Sequence, residues 1–137
     1  MRIILNCLKG IDIMFEITNT QNAPAAIGPY SQAIAVNGIL YASGQIPLDP
    51  ATGEIKGSTI EEQAEQVCKN ISGVLQANGI SFENVIKTTC FLADMGDFVS
   101  FNKVYAKYFV GKPARSCVAV RTIPKNALCE IEIIAKL

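Results

Sequence analysis

The C-terminal third of this 137-residue chain is too apolar for a sheet with one wet face. Ser116-Cys117-Val118-Ala119-Val120 reads as a strand that offers few polar groups to either side, and Ile131, Ile133 and Ile134 continue the trend. A sheet that is apolar on both faces needs cover on both. Only two stretches of the chain read as helices, and two helices cover one face. The second cover is therefore expected to be another copy of the chain, in an obligate homo-oligomer.

The two helices are well marked. Thr59 followed by Glu62 fits a capping box, worth on the order of 1 kcal/mol for the cap. From there Ile60, Ala64, Val67, Ile71, Val74 and Leu75 form one apolar stripe at helical spacing, and Asn78-Gly79 supplies the stop near Ala77. The second helix runs from Phe98 to about Phe109, with Asp97 as its expected cap. Phe98, Phe101, Val104, Tyr105 and Tyr108 share a face that reads as core packing. Strands are expected at Ser31–Val36 and Ile39–Gly44, joined by Asn37-Gly38, whose two residues suit the positive φ angles of a type I′ turn. Further strands are expected at Val85–Leu92, Arg115–Val120 and Leu128–Ala135. Pro47 to Gly57, which contains DPATGE, is a turn-rich loop. The order gives an α+β class with both helices on one face of the sheet.

Residues 14–137 read as a single domain, and residues 1–13 as an N-terminal extension. Ile3, Ile4, Leu5 and Leu8 are interrupted by Asn6, Lys9 and Asp12, and no small-residue cleavage site follows. The segment is thus an untargeted extension or an extra strand, not a signal peptide or membrane span. Met14 is an alternative start to Met1. The cysteines Cys7, Cys68, Cys90, Cys117 and Cys129 are odd in number and lack C-x-x-C spacing. Neither a disulfide framework nor a zinc site is expected, and a reducing cytoplasm is the simplest location.

Charge and composition restrict the chemistry. Lys+Arg and Asp+Glu are 12 each, so no broad basic field exists to hold RNA. The chain has no histidine, which excludes His-ligated metals, Ser–His and Cys–His pairs, and His-based nuclease chemistry. No metal or cofactor is expected.

The remaining candidates are few. Arg115, at the mouth of an apolar strand, needs an anion: a substrate carboxylate, or a structural partner in Glu130 or Glu132. Glu130 and Glu132 alternate with Cys129, Ile131 and Ile133, so both point to one side of a strand. One of them orients water or acts as a base at an oligomer seam, or both lie on a solvated face. Tyr30, in the Gly-Pro turn before the hairpin, offers a phenol to a ligand or anchors the turn. Ser43-Gly44 ends a hairpin strand, where the glycine permits close approach by a ligand or marks a bulge. Asn102 is a ligand-binding amide or an exposed helix amide. Cys117 has no base near it in sequence other than Arg115, so a packing or backbone role is preferred to a nucleophilic one.

These segments together resemble a known family. Asn22-Ala23-Pro24-Ala25-Ala26-Ile27-Gly28-Pro29-Tyr30-Ser31-Gln32-Ala33, Ser43-Gly44-Gln45-Ile46-Pro47, Ile86-Lys87-Thr88-Thr89, Pro113-Ala114-Arg115-Ser116-Cys117-Val118 and Cys129-Glu130-Ile131-Glu132 are similar to motifs of the Rid family. These are the YjgF-type enamine/imine deaminases, also called L-PSP endoribonuclease-like proteins. The similarity spans residues 18 to 136. It implies a chorismate-mutase-like mixed sheet and a homotrimer with a central barrel-like core and clefts between subunits. It also implies hydrolysis of 2-imino acids, such as 2-iminobutanoate and 2-iminopropanoate, to 2-keto acids and ammonia. Endoribonuclease or translation-inhibitor activity, and a non-catalytic ligand-binding regulator, are the alternatives.

Site roles follow residue by residue from the resemblance. Arg115 matches the arginine that binds the substrate carboxylate, and Glu130 the glutamate that positions water. Tyr30, Ser43, Gly44, Asn102 and Cys117 match pocket residues. The segment between Phe109 and Pro113 is shorter than in many relatives, Arg121-Thr122 departs from the usual pair, and residues 1–13 have no counterpart.

Overall fold

The computed structural model describes the backbone of residues 2–8 and 11–137, and the side chains of residues 14–137. Among the described residues, seven strands and two α-helices follow one another as β1 (Arg2–Leu8), β2 (Ile11–Thr18), β3 (Ala33–Val36), β4 (Ile39–Gln45), α1 (Ile60–Ala77), β5 (Val85–Leu92), α2 (Phe98–Tyr108), β6 (Ala114–Ala119) and β7 (Cys129–Lys136). They form one sheet in the order β1-β2-β3-β4-β7-β5-β6. Every neighbouring pair is antiparallel except β5 and β6, which are parallel because α2 carries the chain back across the sheet. The sheet is mixed and the class α+β, as expected.

Local chemistry sets most of these boundaries. Asn37 and Gly38 have φ of 51° and 77°, so the β3–β4 turn has positive φ at both central residues, as type I′ requires. At the start of α1 the Glu62 N–H donates to Thr59 Oγ1 at 3.2 Å, and the Thr59 N–H donates to Glu62 Oε2 at 3.2 Å. The expected capping box is complete. Asp97 departs from expectation: its side chain makes no cap hydrogen bond. A short 3₁₀ turn, Met95–Asp97, precedes α2, and Asp94 caps that turn by accepting from the Gly96 N–H at 2.7 Å. Asp97 is the last residue of this turn, and its backbone is already helical.

The N-terminal segment supplies an extra strand. β1 pairs with β2, and β2 runs through the boundary placed at residue 14. Cys7 lies outside the described side chains, and Cys68, Cys90, Cys117 and Cys129 are free thiols.

Both helices pack on the same face of the sheet. Val67, Ile71 and Leu75 of α1 and Phe101 of α2 are buried against Leu40, Cys90, Leu92, Ile131 and Ile133. Three amides on α1 have a separate task. Asn70, fully buried, donates to the carbonyls of Ile46 at 3.1 Å and Leu48 at 2.9 Å. Gln66 donates to Asn70 Oδ1 at 2.9 Å, and Gln63 Oε1 accepts from the Leu128 N–H at 2.7 Å. These bonds fix the segments that leave β4 and enter β7. The face away from the helices keeps Tyr41 and Val118 about half exposed, at 49% and 48%. The same face also carries Thr89, Ser116, Glu130 and Glu132, so it is mixed and not apolar as the sequence pattern suggested. Ile131 and Ile133 both turn to the helix side, and only apolar residues such as Tyr41, Phe91, Val118 and Ile134 stay on the open face.

Candidate active site

The candidate residues fall into two groups, and strand geometry decides which group each joins. Paired residues on neighbouring strands share a face, and the face alternates along each strand. Arg115 of β6 lies opposite Thr88 of β5, which lies opposite Ile133 of β7. That row faces the helices, where Thr88 and Ile133 are buried. Glu130 lies opposite Phe91, three residues from Ile133 and Thr88 respectively, so it faces the other way. Arg115 and Glu130 therefore stand on opposite faces of one sheet. The structural ion pair considered from sequence does not form.

The first group surrounds Arg115 at the β6 edge, beside α2. Its Nη1 donates to Asn102 Oδ1 at 2.7 Å. Its guanidinium carbon lies 4.6 Å from the Tyr105 ring centroid and 5.5 Å from that of Phe98. Among the described residues no carboxylate pairs with it. A guanidinium has five donors in a planar fork, and the structure accounts for one. A cavity of about 480 Å³ opens here, lined by Asn102, Tyr105, Lys112, Pro113 and Arg115 among others. Asn102 is thus a partner of the arginine and only half exposed. Cys117 lies on the same side of β6 as Arg115 and pairs with Cys90 across the strands. Burial raises the Cys117 thiol above its ordinary pKa and pushes Cys90 up to about 12. A thiol held in its protonated form is a poor nucleophile, which favours the packing role.

The second group surrounds Glu130 on the opposite face. The β4–β7 register shifts between Ala42 and Gln45, so Ser43-Gly44 does mark an irregularity in the strand. Ser43 is held by its Oγ donating to the Ser31 carbonyl at 2.6 Å, and by its N–H donating to the Gln32 carbonyl at 3.0 Å. The Glu130 carboxylate lies directly over Gly44. A Cβ built on Gly44 would be 1.9 Å from Glu130 Oε1, so only glycine admits the carboxylate in this position. Burial, reinforced by the charge of Glu132, raises the Glu130 pKa above its ordinary value. Tyr30, Ser43, Gly44, Glu130 and Glu132 line a cavity of about 560 Å³, walled on its apolar side by Ile27, Ile46 and Pro124. Tyr30 is 54% exposed, so its phenol is open to a ligand.

The structure thus joins Tyr30, Ser43, Gly44 and Glu130 in one cavity and Asn102 and Arg115 in another. Glu132, the other candidate carboxylate of β7, joins Glu130 in its cavity, whereas Tyr105 read from sequence only as core packing. Tyr105 had a signal in sequence, since it follows Asn102 by three residues and shares its side of the helix. Among the described residues, no cluster of Cys, Asp and Glu is arranged to hold a metal. No helix among them is long and apolar enough to cross a membrane.

Residues 20–137 match the profile of the family described as Endoribonuclease L-PSP. The chain belongs to this family, the Rid family. AldR of Lactococcus lactis, which is named as a regulator, is 57% identical over 123 residues, covering 89% of this chain and 98% of its own. The mouse protein named 2-iminobutanoate/2-iminopropanoate deaminase is 46% identical over 124 residues, covering 90% of this chain and 92% of its own. Among solved structures, the Rid protein YyfA from Yersinia pestis superposes with a TM-score of 0.87 at 50% identity, covering 90% of this chain and 99% of its own. Rid relatives named as deaminases support a hydrolytic deaminase at the level of the family. The matched region begins after β2, so β1 and β2 precede the part described by the family profile.

Proposed function

We propose that this Rid protein hydrolyses 2-imino acids, 2-iminobutanoate and 2-iminopropanoate among them, to 2-keto acids and ammonia. The supporting observation is the pair of incomplete half-sites: an arginine with open donors, and a desolvated glutamate facing the other way. Each lacks what the other holds. A homotrimer sets the Arg115 half-site of one subunit against the Glu130 half-site of its neighbour, in a cleft between them. The same association covers the half-exposed Tyr41 and Val118 on the sheet face that one chain leaves open.

The chemistry needs little more. Arg115 receives the substrate carboxylate on its planar N–H fork. Asn102 holds the guanidinium from behind. Glu130, with its raised pKa, accepts a proton from water as the water attacks the imine carbon from about 3 Å. Glu130 then gives that proton to the nitrogen of the tetrahedral adduct. The C–N bond breaks, ammonia leaves, and the adduct's hydroxyl proton returns to the Glu130 carboxylate as the C=O bond forms. A protonated imine is already a strong electrophile, so the steps ask for placement more than for a nucleophilic side chain.

The test generates 2-iminobutanoate in situ with a threonine dehydratase and follows keto-acid release, with semicarbazide trapping the remaining imine. Acceleration by the wild type, lost in an Arg115→Ala variant that keeps its oligomeric state, is the expected result. No acceleration over the uncatalysed rate refutes it. A monomer by light scattering at micromolar concentration refutes the intersubunit cleft. The regulator reading, which the name of AldR favours, predicts keto-acid binding without turnover. The ribonuclease reading predicts RNA cleavage that responds to Arg115→Ala.

A further inference from the structure

Tyr105 is buried at 9% exposure, yet its ring is the nearest aromatic surface to the Arg115 guanidinium, 4.6 Å from the centroid. Its hydroxyl lies 2.7 Å from Thr88 Oγ1 in a fully buried hydrogen bond. Thr88 is also the residue that faces Arg115 across the β5–β6 pairing. The Phe109 ring stacks on Tyr105 at 4.2 Å and 20°. The ring is therefore held at its tip by one strand and along its plane by the helix end. Asn102 and Tyr105 sit one turn apart on α2, so one helix face supplies both the hydrogen bond to Nη1 and the aromatic surface.

We infer that Tyr105 is a positioning residue for Arg115: its Thr88-anchored ring fixes the plane of the guanidinium so that the remaining donors meet a carboxylate in the cavity as a pair. An arginine on a flexible stem loses this orientation when the surface beside it is removed, because a bidentate contact depends on the plane as well as the charge. The role in catalysis rests on the deaminase reading above, whereas the arrangement of the side chain does not.

The experiment uses the full chain with Tyr105→Phe, Tyr105→Leu and Thr88→Val variants. Three quantities are read for each: the Nε–H NMR resonance of Arg115, assigned by its loss in Arg115→Lys, the affinity for 2-oxobutanoate, and KM against kcat for 2-iminobutanoate. In the wild type, the Tyr105 ring current is expected to displace the Arg115 resonance from those of the other arginines. Tyr105→Phe, which loses the Thr88 hydrogen bond but keeps the ring, shifts that resonance only partway and stays within about threefold in affinity. Tyr105→Leu loses it, with 2-oxobutanoate binding weakened and KM raised roughly tenfold, as expected for loss of a cation–π surface. An Arg115 resonance and a KM both unchanged in a folded Tyr105→Leu protein overturn the proposal. So does an equal loss in Tyr105→Phe, which would assign the effect to the hydroxyl. If Tyr105→Leu does not fold, Thr88→Val decides: a shifted Arg115 resonance supports the anchor, and an unchanged one overturns it. If the wild type turns over no imine, the deaminase reading fails alone, and the Arg115 resonance still decides the role of Tyr105.

Discussion

Replacing Gly44 with alanine probes the Glu130 half-site without removing any functional group. The added methyl would lie 1.9 Å from Glu130 Oε1, 2.9 Å from Cδ and 3.2 Å from Cγ. All three atoms belong to a movable side chain, so the carboxylate gives way and the backbone stays. It must retreat by roughly 1.5 Å to reach ordinary contact distance. A rotamer shift of that kind costs on the order of 1 kcal/mol, a small part of the roughly 5–15 kcal/mol that holds a domain folded. Gly44 is not among the positive-φ glycines, so alanine brings no backbone strain. Catalysis is far less tolerant, since a misplacement of about 1 Å costs on the order of 100-fold, or about 2.7 kcal/mol of barrier. The expected result is kcat/KM for 2-iminobutanoate lowered roughly 100-fold. The melting temperature should stay within a few degrees, and the oligomeric state should not change. Wild-type rates in a folded Gly44→Ala protein would show that the place of the carboxylate is irrelevant, and the argument would fail. Unfolding would refute the claim that the clash is absorbed by a side chain.

The raised pKa of Glu130 sets two further expectations. The base form disappears as pH falls through a value above the usual 4.5, so kcat/KM should show an acid limb there, and Glu132→Gln should move that limb to lower pH. The folded carboxyl also holds its proton more tightly than the unfolded one. Its contribution to stability is therefore lost as pH rises from the ordinary value through the raised one. Glu130→Gln should melt higher than wild type at pH 7 while losing activity, and a lower melting temperature would contradict the assigned burial cost. Asn70→Ala should lower stability by roughly 2–3 kcal/mol by urea titration, because the Ile46 and Leu48 carbonyls lose their buried donor. A change below about 0.5 kcal/mol would show that water replaces the amide.

Much of the fold was legible because its signals are local. Asn37-Gly38 dictates a turn through its own φ angles, and Thr59 with Glu62 closes a helix end within four residues. Asp97 misled because two acidic residues stand near one helix start, and the intervening 3₁₀ turn gave the cap to Asp94. The site was legible residue by residue but not in its arrangement. Alternation places Glu130 and Glu132 on one side of β7, but nothing in sequence states how β7, β5 and β6 are aligned. That register alone separates Arg115 from Glu130. The α1 amides Gln63 and Asn70 carried no such signal for a similar reason, since Leu128 and Ile46 lie 65 and 24 residues from them.

The division of charged groups between two sheet faces has a genetic consequence. In the proposed trimer, a copy lacking Arg115 spoils only the cleft to which it contributes the arginine. Its own Glu130 face still completes a cleft with an intact neighbour. Defective and normal alleles expressed together would then yield mixed assemblies that lose activity in proportion to the defective copies, and no faster. Two alleles damaged on opposite faces would rebuild some complete clefts between them, although neither has any when expressed alone.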